Sequence, residues 1–233
     1  MTSLYLVSTP IGNLEDITFR ALQTLFQVAY IACEDTRVTG NLLELLKNKY
    51  ASILQESKKP ELLSYRNDNE QMMIPSLIAH IEEGKSVALV SDAGTPLISD
   101  PGFRLVHEAL KRNIPIQVIP GVSAFVSAVT GSGLPVNSIT FLGFLPEKTS
   151  HRTGVLQKIV SLNSSLPSTY VLYVAPHKLQ QTLADMQEVF GNIPIVLARE
   201  LTKLHEEFFR GTIEEAETRF ADPKGEFVLL FTL

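Results

Sequence analysis

Residues 91–102 read Ser-Asp-Ala-Gly-Thr-Pro-Leu-Ile-Ser-Asp-Pro-Gly, so Asp92 and Asp100 share one Gly- and Pro-rich segment directly after the apolar run Ser86–Val90. Glu34-Asp35-Thr36-Arg37 ends another apolar run, and Arg199-Glu200-Leu201-Thr202-Lys203 ends a third. Carboxylates at the ends of buried strands suit proton transfer, and a neighbouring guanidinium can hold a phosphate or orient a carboxylate. The candidate proton-transfer groups are therefore Glu34, Asp35, Asp100, Glu200 and Lys203, with Arg37 or Arg199 as the accompanying cation. Three charged residues close one strand at Glu34-Asp35-Arg37, which makes that cluster the favoured one for facing a substrate. The structural alternative has Arg37 pairing with Asp35 or Glu34 to cap the next helix. Asp100 similarly either caps the following helix or faces substrate.

These groups need a scaffold, and apolar runs of strand length alternate with helix-period segments along the whole chain, the pattern of an α/β protein. Strands are expected at Leu4–Ser8, Ala29–Cys33, Leu62–Tyr65, Ser86–Ser91 and Ile116–Ile119. Between them lie helices near Val38–Leu46, Glu70–Glu83 and Phe103–Arg112, plus one capped by Asp16 whose Ile17, Ala21, Leu22, Leu25 and Phe26 share a face. The turn at Pro120-Gly121 marks a boundary between domains 1–120 and 121–233. The second domain opens with an apolar helix, Ser123–Thr130. It continues with strands Ile139–Phe144, Thr169–Val174, Ile195–Arg199, Glu206–Arg210 and Glu226–Thr232, and helices Thr153–Leu162, Lys178–Phe190 and Ile213–Phe220, an ending that implies a mixed sheet. Ligands of open α/β sheets gather beyond the carboxyl ends of strands. The loops Thr9–Asn13, Glu34–Arg37, Asp92–Pro96 with Asp100–Gly102, Pro120–Ala124, Ala175–His177 and Arg199–Lys203 all follow strands in this way.

Composition narrows the chemistry. With 233 residues, 45% hydrophobic, the chain can bury a full core. Cys33 is the only cysteine, so no disulfide forms within the chain and a reducing cytoplasm is the expected setting. The stretch Asn113–Pro146 carries no charged side chain, but Pro115, Pro120, Pro135 and Pro146 divide it into short elements rather than one membrane span. The start of the chain reads as a strand rather than a signal peptide. The five His residues show no metal-ligand spacing, so no metal is expected. No phosphate loop, GxSxG elbow or dinucleotide fingerprint occurs, Gly131-Ser-Gly133 having Val136 where the third glycine would stand. A formal charge of −5 offers no global sign of nucleic-acid binding. Local basic residues lie in two stretches expected at the surface, Lys47–Glu61 with Lys47, Lys49, Lys58 and Lys59, and Glu147–Lys158 with Lys148, His151, Arg152 and Lys158.

Taken in order, STPIGNLEDIT, CEDTR, SDAGTPLISDPG, PGVSA, LARELTK and KGE resemble the tetrapyrrole-methylase-like superfamily, and within it the ribosomal RNA small-subunit methyltransferase I family. The resemblance runs from Leu4 to Leu230. It implies two α/β domains of the class III methyltransferase type with S-adenosylmethionine (SAM) in the cleft between them, usually in a homodimer. The implied reaction is methylation of the ribose 2′-oxygen of a decoding-centre cytidine in 16S rRNA, with the small ribosomal subunit as partner. By the same resemblance Pro10 and Gly12, Asp92, Ala93, Gly94, Thr95 and Pro96, Ser123 and Ala124, Tyr173 and Val174, Ala198, and Gly225 line the SAM pocket. Asp92 beside Gly94 is costly to bury unpaired, and a ligand hydroxyl or amine would satisfy it. Two segments depart from the family pattern. Thr149–Gly154 is less basic than usual, and Val174-Ala-Pro-His-Lys178 lacks the acidic residue that usually precedes Pro-His. Two other functions keep the same fold: methylation of a tetrapyrrole or other small molecule, and non-catalytic SAM binding at the ribosome. The Thr9-Pro-Ile-Gly-Asn13 loop, in place of a GxGPGD-like one, speaks against the first.

Overall fold

The structure is a computed structural model that describes residues 3–54 and 59–233, and it divides into two compact units, Met1–Ser123 and Ala124–Leu233. The expected break after Pro120 falls inside the first unit. Pro120 and Val122 remain tied to it, because their carbonyls accept from the Thr18 and Thr95 hydroxyls.

In the first unit, strands β1 (Leu4–Val7), β2 (Tyr30–Cys33), β3 (Glu61–Ser64), β4 (Val87–Leu89) and β5 (Ile116–Ile119) form a sheet of order β3-β2-β4-β1-β5. Every pairing is parallel. A parallel sheet must be covered on both faces, which is why its strands read as near-continuous apolar runs. Ile31, Cys33 and Ala88 pack on one side against Leu22 and Leu25 of α1 (Phe19–Leu25) and Leu43 and Leu46 of α2 (Thr36–Lys49). Ala32, Val87 and Leu89 pack on the other against Leu77 of α3 (Glu70–Glu82) and Leu105 of α4 (Phe103–Lys111).

Helix α1 is capped by Thr18, whose hydroxyl accepts from the Ala21 N–H at 3.1 Å, and not by Asp16 as expected. Asn13 takes the Glu15 N–H and turns Leu14–Asp16 into a separate 3-10 turn; the extended Ile17 (φ −68°, ψ 132°) then leaves Thr18 as the first residue able to cap.

The second unit begins with α5 (Ala124–Ser132). It continues through β6 (Ile139–Phe144), α6 (Thr149–Asn163), β7 (Thr169–Val174), α7 (Leu179–Phe190), β8 (Pro194–Arg199), β9 (Glu207–Thr212), α8 (Ile213–Arg219) and β10 (Phe227–Phe231). The sheet order is β6-β7-β10-β8-β9 and only β6–β7 is parallel. The chain's last strand inserts antiparallel between β7 and β8, giving the mixed sheet expected. Leu156, Leu172, Leu183, Leu197 and Leu229 are among the residues of its core.

The two basic stretches are not simple surface loops. α2 runs on through exposed Lys47 and Lys49, Lys49 pairs with Glu15 at 2.8 Å, Lys59 is exposed, and Lys58 lies outside the described residues. α6 starts at Thr149, so Arg152 joins Leu156 and Ile159 on its buried stripe, and only Lys148, His151 and Lys158 of that group face solvent. Among the described residues no helix is long and apolar enough to cross a membrane.

Candidate functional site

The carboxyl ends of β1, β4 and β5 lie side by side, and their loops are stitched into one surface. Thr9 and Gly94 exchange backbone hydrogen bonds of 2.9 and 3.1 Å across an isolated bridge. The Ser8 and Thr95 hydroxyls lie 3.0 Å apart, Thr95 donates on to the Val122 carbonyl at 3.0 Å, and Ser91 donates to the Gly94 carbonyl at 3.3 Å. Two glycines are required here. Gly94 adopts φ +84°, a left-handed conformation that side chains disfavour, and a Cβ on Gly121 would come within 2.8 Å of the Ser8 Cβ. Pro10, Gly94 and Pro96 are buried within this surface, Gly12 and Ala93 are exposed, and Asp92, Thr95 and Ser123 are half-buried. Ser8 and Ser91 are members that sequence inspection passed over; nothing distinguishes them from other strand-end serines until the loops are brought together.

The neighbouring β2 loop joins through Asp92, whose Oδ1 accepts the Asp35 N–H at 3.1 Å. The half-buried Asp92 thus has a partner in the protein itself. An ionised carboxylate offers about four acceptor sites, so it keeps capacity for a ligand. Asp35 is committed elsewhere: its Oδ1 caps α2 by accepting the Arg37 N–H at 2.8 Å, and the Arg37 guanidinium grips both of its oxygens at 3.1 and 2.7 Å. The structural alternative for this pair is therefore the observed one. Arg37's hydrogen bonds hold the Asp35 carboxyl well below the usual carboxylate range, which makes it a weak proton acceptor.

Asp100 behaves in the opposite way. Burial, reinforced by the charges of Glu34 and Asp92 and opposed by a hydrogen bond with Ser91, pushes its carboxyl up to about 6. Glu34 is also raised, first by burial and then by Asp92, with Arg66 pulling the other way. Asp100 does not cap α4: the N-cap is Gly102, at φ 138°, where a Cβ would meet Leu89 Cδ2 at 2.6 Å.

Within the second unit, Glu200, Lys203, Gly225 and Glu226 form a knot at the end of β8. Lys203 Nζ donates to Glu200 at 3.0 Å and to Glu226 at 2.8 Å, while Glu200 Oε1 also takes the Glu226 N–H at 2.9 Å. Burial pulls the Lys203 ammonium down, but its bonds with Glu226 and Glu200 outweigh that and hold it above its ordinary value. A fully charged lysine bracketed by two carboxylates is a clamp rather than a proton acceptor. Gly225, at φ +90°, lies directly on Glu200, since a Cβ there would come within 2.6 Å of the Glu200 side chain. Ala198 is wholly buried in the sheet, Val174 is buried and Ala124 half-buried. The half-buried Tyr173 packs edge-on against Phe141 and Phe144 at 4.9 and 5.6 Å, and its oxygen accepts the Phe125 N–H at 3.2 Å. Among the described residues no group of three or more His, Cys, Asp or Glu is placed to hold a metal ion.

Arg152, expected at the surface, is instead buried in a pair with Asp185. Arg152, 2% exposed, bonds Asp185 and donates to the carbonyls of Pro146 and Glu147 at 3.1 and 2.8 Å and to the Thr149 hydroxyl at 3.1 Å. Its spacing from Leu156 and Ile159 is the helical signal that would have located it.

Comparison with known proteins adds to this geometry. The model of the tetrapyrrole (corrin/porphyrin) methylases matches residues 3–217. The ribosomal RNA small subunit methyltransferase I of Mycoplasmopsis pulmonis is 48% identical over 233 residues, covering 99% of this chain and 98% of its own. Among solved structures, the cobalt precorrin-4 methyltransferase CbiF has a TM-score of 0.68 at 17% identity, covering 98% of this chain and 94% of that one. The uroporphyrin-III C-methyltransferase of Thermus thermophilus, solved with S-adenosylhomocysteine, has a TM-score of 0.62 at 17% identity, covering 98% and 96%. At those identities the two structures establish a shared fold.

Proposed function

The chain belongs to the tetrapyrrole (corrin/porphyrin) methylase family, and from that premise we propose that it methylates the ribose 2′-oxygen of a decoding-centre cytidine in 16S rRNA. The near-full-length identity to a small-subunit rRNA methyltransferase carries this reading. The chain is a SAM-dependent methyltransferase, and the proposal extends that to the nucleotide and the atom. It acts in the cytoplasm as a homodimer, with the small ribosomal subunit as its substrate.

The first unit's loops suit the cofactor. Gly121 and Gly94 keep backbone, not side chains, at the surface formed by the ends of β1, β4 and β5, and Asp92 has acceptor capacity for a hydroxyl or an amine. Bound there, SAM supplies an electrophilic methyl on sulfur. The protein's work is to orient the acceptor hydroxyl and to take its proton. Asp100 fits the second task, because a carboxyl raised to about 6 is mostly ionised at neutral pH yet more basic than an ordinary aspartate. The charge of Glu34 adds to the upward push that burial gives it. Asp35 and Arg37 hold the start of α2, and Lys203 holds the Glu200–Glu226 knot; these are positioning residues.

The test supplies purified protein and methyl-labelled SAM to small subunits that lack the modification. Label retained in protein-free rRNA and mapped to the ribose of one cytidine is the expected result. Transfer to a porphyrinoid and none to subunits would overturn the proposal. SAM binding without transfer to either would make the protein a binder.

A further inference from the structure

One cavity in the second unit, partly open to solvent, includes Tyr173 and Val174, which the family resemblance gives to the cofactor, but most of its walls have no assigned role. At the carboxyl ends of β6 and β7, lined by the segments Phe144–Glu147 and Tyr173–Lys178 and by Thr182 of α7, lies a cavity of ≈ 160 Å³. β6 and β7 are the one parallel pair in that sheet, so the cavity opens where α/β crevices receive ligands. Its walls are chiefly apolar. Phe144 and Tyr173 stand at an interplanar angle of 62°, with Leu145, Pro146 and Val174 beside them. Its polar groups are confined to few positions, among them Glu147, His177 and Lys178 in the two loops.

One wall segment is tied to the helices behind it. The buried Arg152 hydrogen-bonds both the Pro146 and Glu147 carbonyls, and its partner Asp185 is held in turn by Gln181 at 3.1 Å. The guanidinium, 2% exposed, thus fixes the Pro146–Glu147 side of the cavity.

Size selects the occupant. An apolar cavity of about 150 Å³ accepts benzene, so this one takes up a single six-membered ring whole, whereas a fused purine would project from it. Unstacked RNA bases are recognised by stacking on aromatic side chains and by hydrogen bonds to their edges, and both are available here. We propose that this cavity receives the pyrimidine ring of a single-stranded nucleotide of the RNA substrate, set against Phe144 and Tyr173, with Lys178 and the exposed His177 meeting its polar edge or the adjoining phosphate. The inference deepens the rRNA methyl-transfer reading and rests on it.

Two variants and one ligand titration test it. Phe144→Ala removes an exposed aromatic wall, and Ala175→Leu fills the cavity from the loop after β7. Each should raise KM for unmodified small subunits about tenfold, the worth of one base–aromatic stack, while SAM affinity by calorimetry stays within about twofold and thermal melts stay near wild type. Cytidine 5′-monophosphate, titrated into the wild-type protein by NMR, should shift resonances of Tyr173 and His177 where adenosine 5′-monophosphate does not. A parallel loss of SAM affinity would assign the cavity to the cofactor, and unchanged KM or equal shifts with both nucleotides would also overturn the proposal. Wild-type protein that transfers nothing to subunits but still discriminates the two nucleotides would refute the functional reading and leave the pyrimidine site standing.

Discussion

Replacing Asp185 by Ala isolates the buried ion pair from everything else in the second unit. Both partners are nearly inaccessible, with side chains 2% and 4% exposed, so solvent cannot take over when one is removed. Arg152 would remain as a desolvated charge, keeping its bonds to Pro146, Glu147 and Thr149 but losing its counter-ion. Removing one member of a buried pair typically costs about 3–5 kcal/mol, a large share of the roughly 5–15 kcal/mol that holds a domain together. Urea unfolding should therefore show a loss of unfolding free energy of that size, read as a lower midpoint at unchanged slope, with melting lowered by about 10 °C or more. The double variant Arg152→Met/Asp185→Leu should recover part of the loss, because it removes both charges and keeps volume while the Pro146 and Glu147 carbonyls lose their donor. A cost below about 1 kcal/mol for Asp185→Ala, or a double variant no better than the single one, would refute the view that an uncompensated buried charge sets the penalty.

Other expectations concern the candidate site. Asp100 has its folded-state carboxyl raised to about 6 from an ordinary 3.8, so between those values the native state binds more protons than the unfolded chain; the group therefore lowers stability as pH rises through about 4 to 6. Asp100→Asn should be more stable than wild type at pH 7.5 by unfolding titration, yet slower in methyl transfer, and should lose the rise of rate with pH centred near 6. Asp92→Ala should weaken SAM binding, measured by calorimetry, by about tenfold or more, and Asp100→Ala should change it far less; equal effects would remove the distinction between the two carboxylates. Gly225→Ala must place a Cβ at φ +90° and 2.6 Å from the Glu200 side chain, which should cost roughly 1–3 kcal/mol by denaturant unfolding.

Most of the fold is legible in the linear order of residues. Runs such as Val87–Leu89 and Thr169–Val174 are apolar on both faces, and only a sheet covered on both sides buries them. Errors gather at ends and caps, where one side chain competes with its neighbours. Asn13 and Thr18 divided between them the turn expected to start at Asp16. Arg152 reads as a surface contact in the sequence, because charge type outweighs helical phase when no partner is visible there.

The residue types alone determined that carboxylates and glycines end buried strands, that the chain is α/β, and which motifs it shares with rRNA methyltransferases, since propensity, periodicity and local spacing are properties of the chain itself. The tertiary structure decided the state of each carboxylate. Asp35 and Asp100 are the same residue type at similar loop positions, yet Arg37 holds one far down while burial near Glu34 and Asp92 pushes the other up to about 6. A proton's affinity depends on the charges and solvent within a few ångströms, and folding sets those distances between residues far apart in sequence.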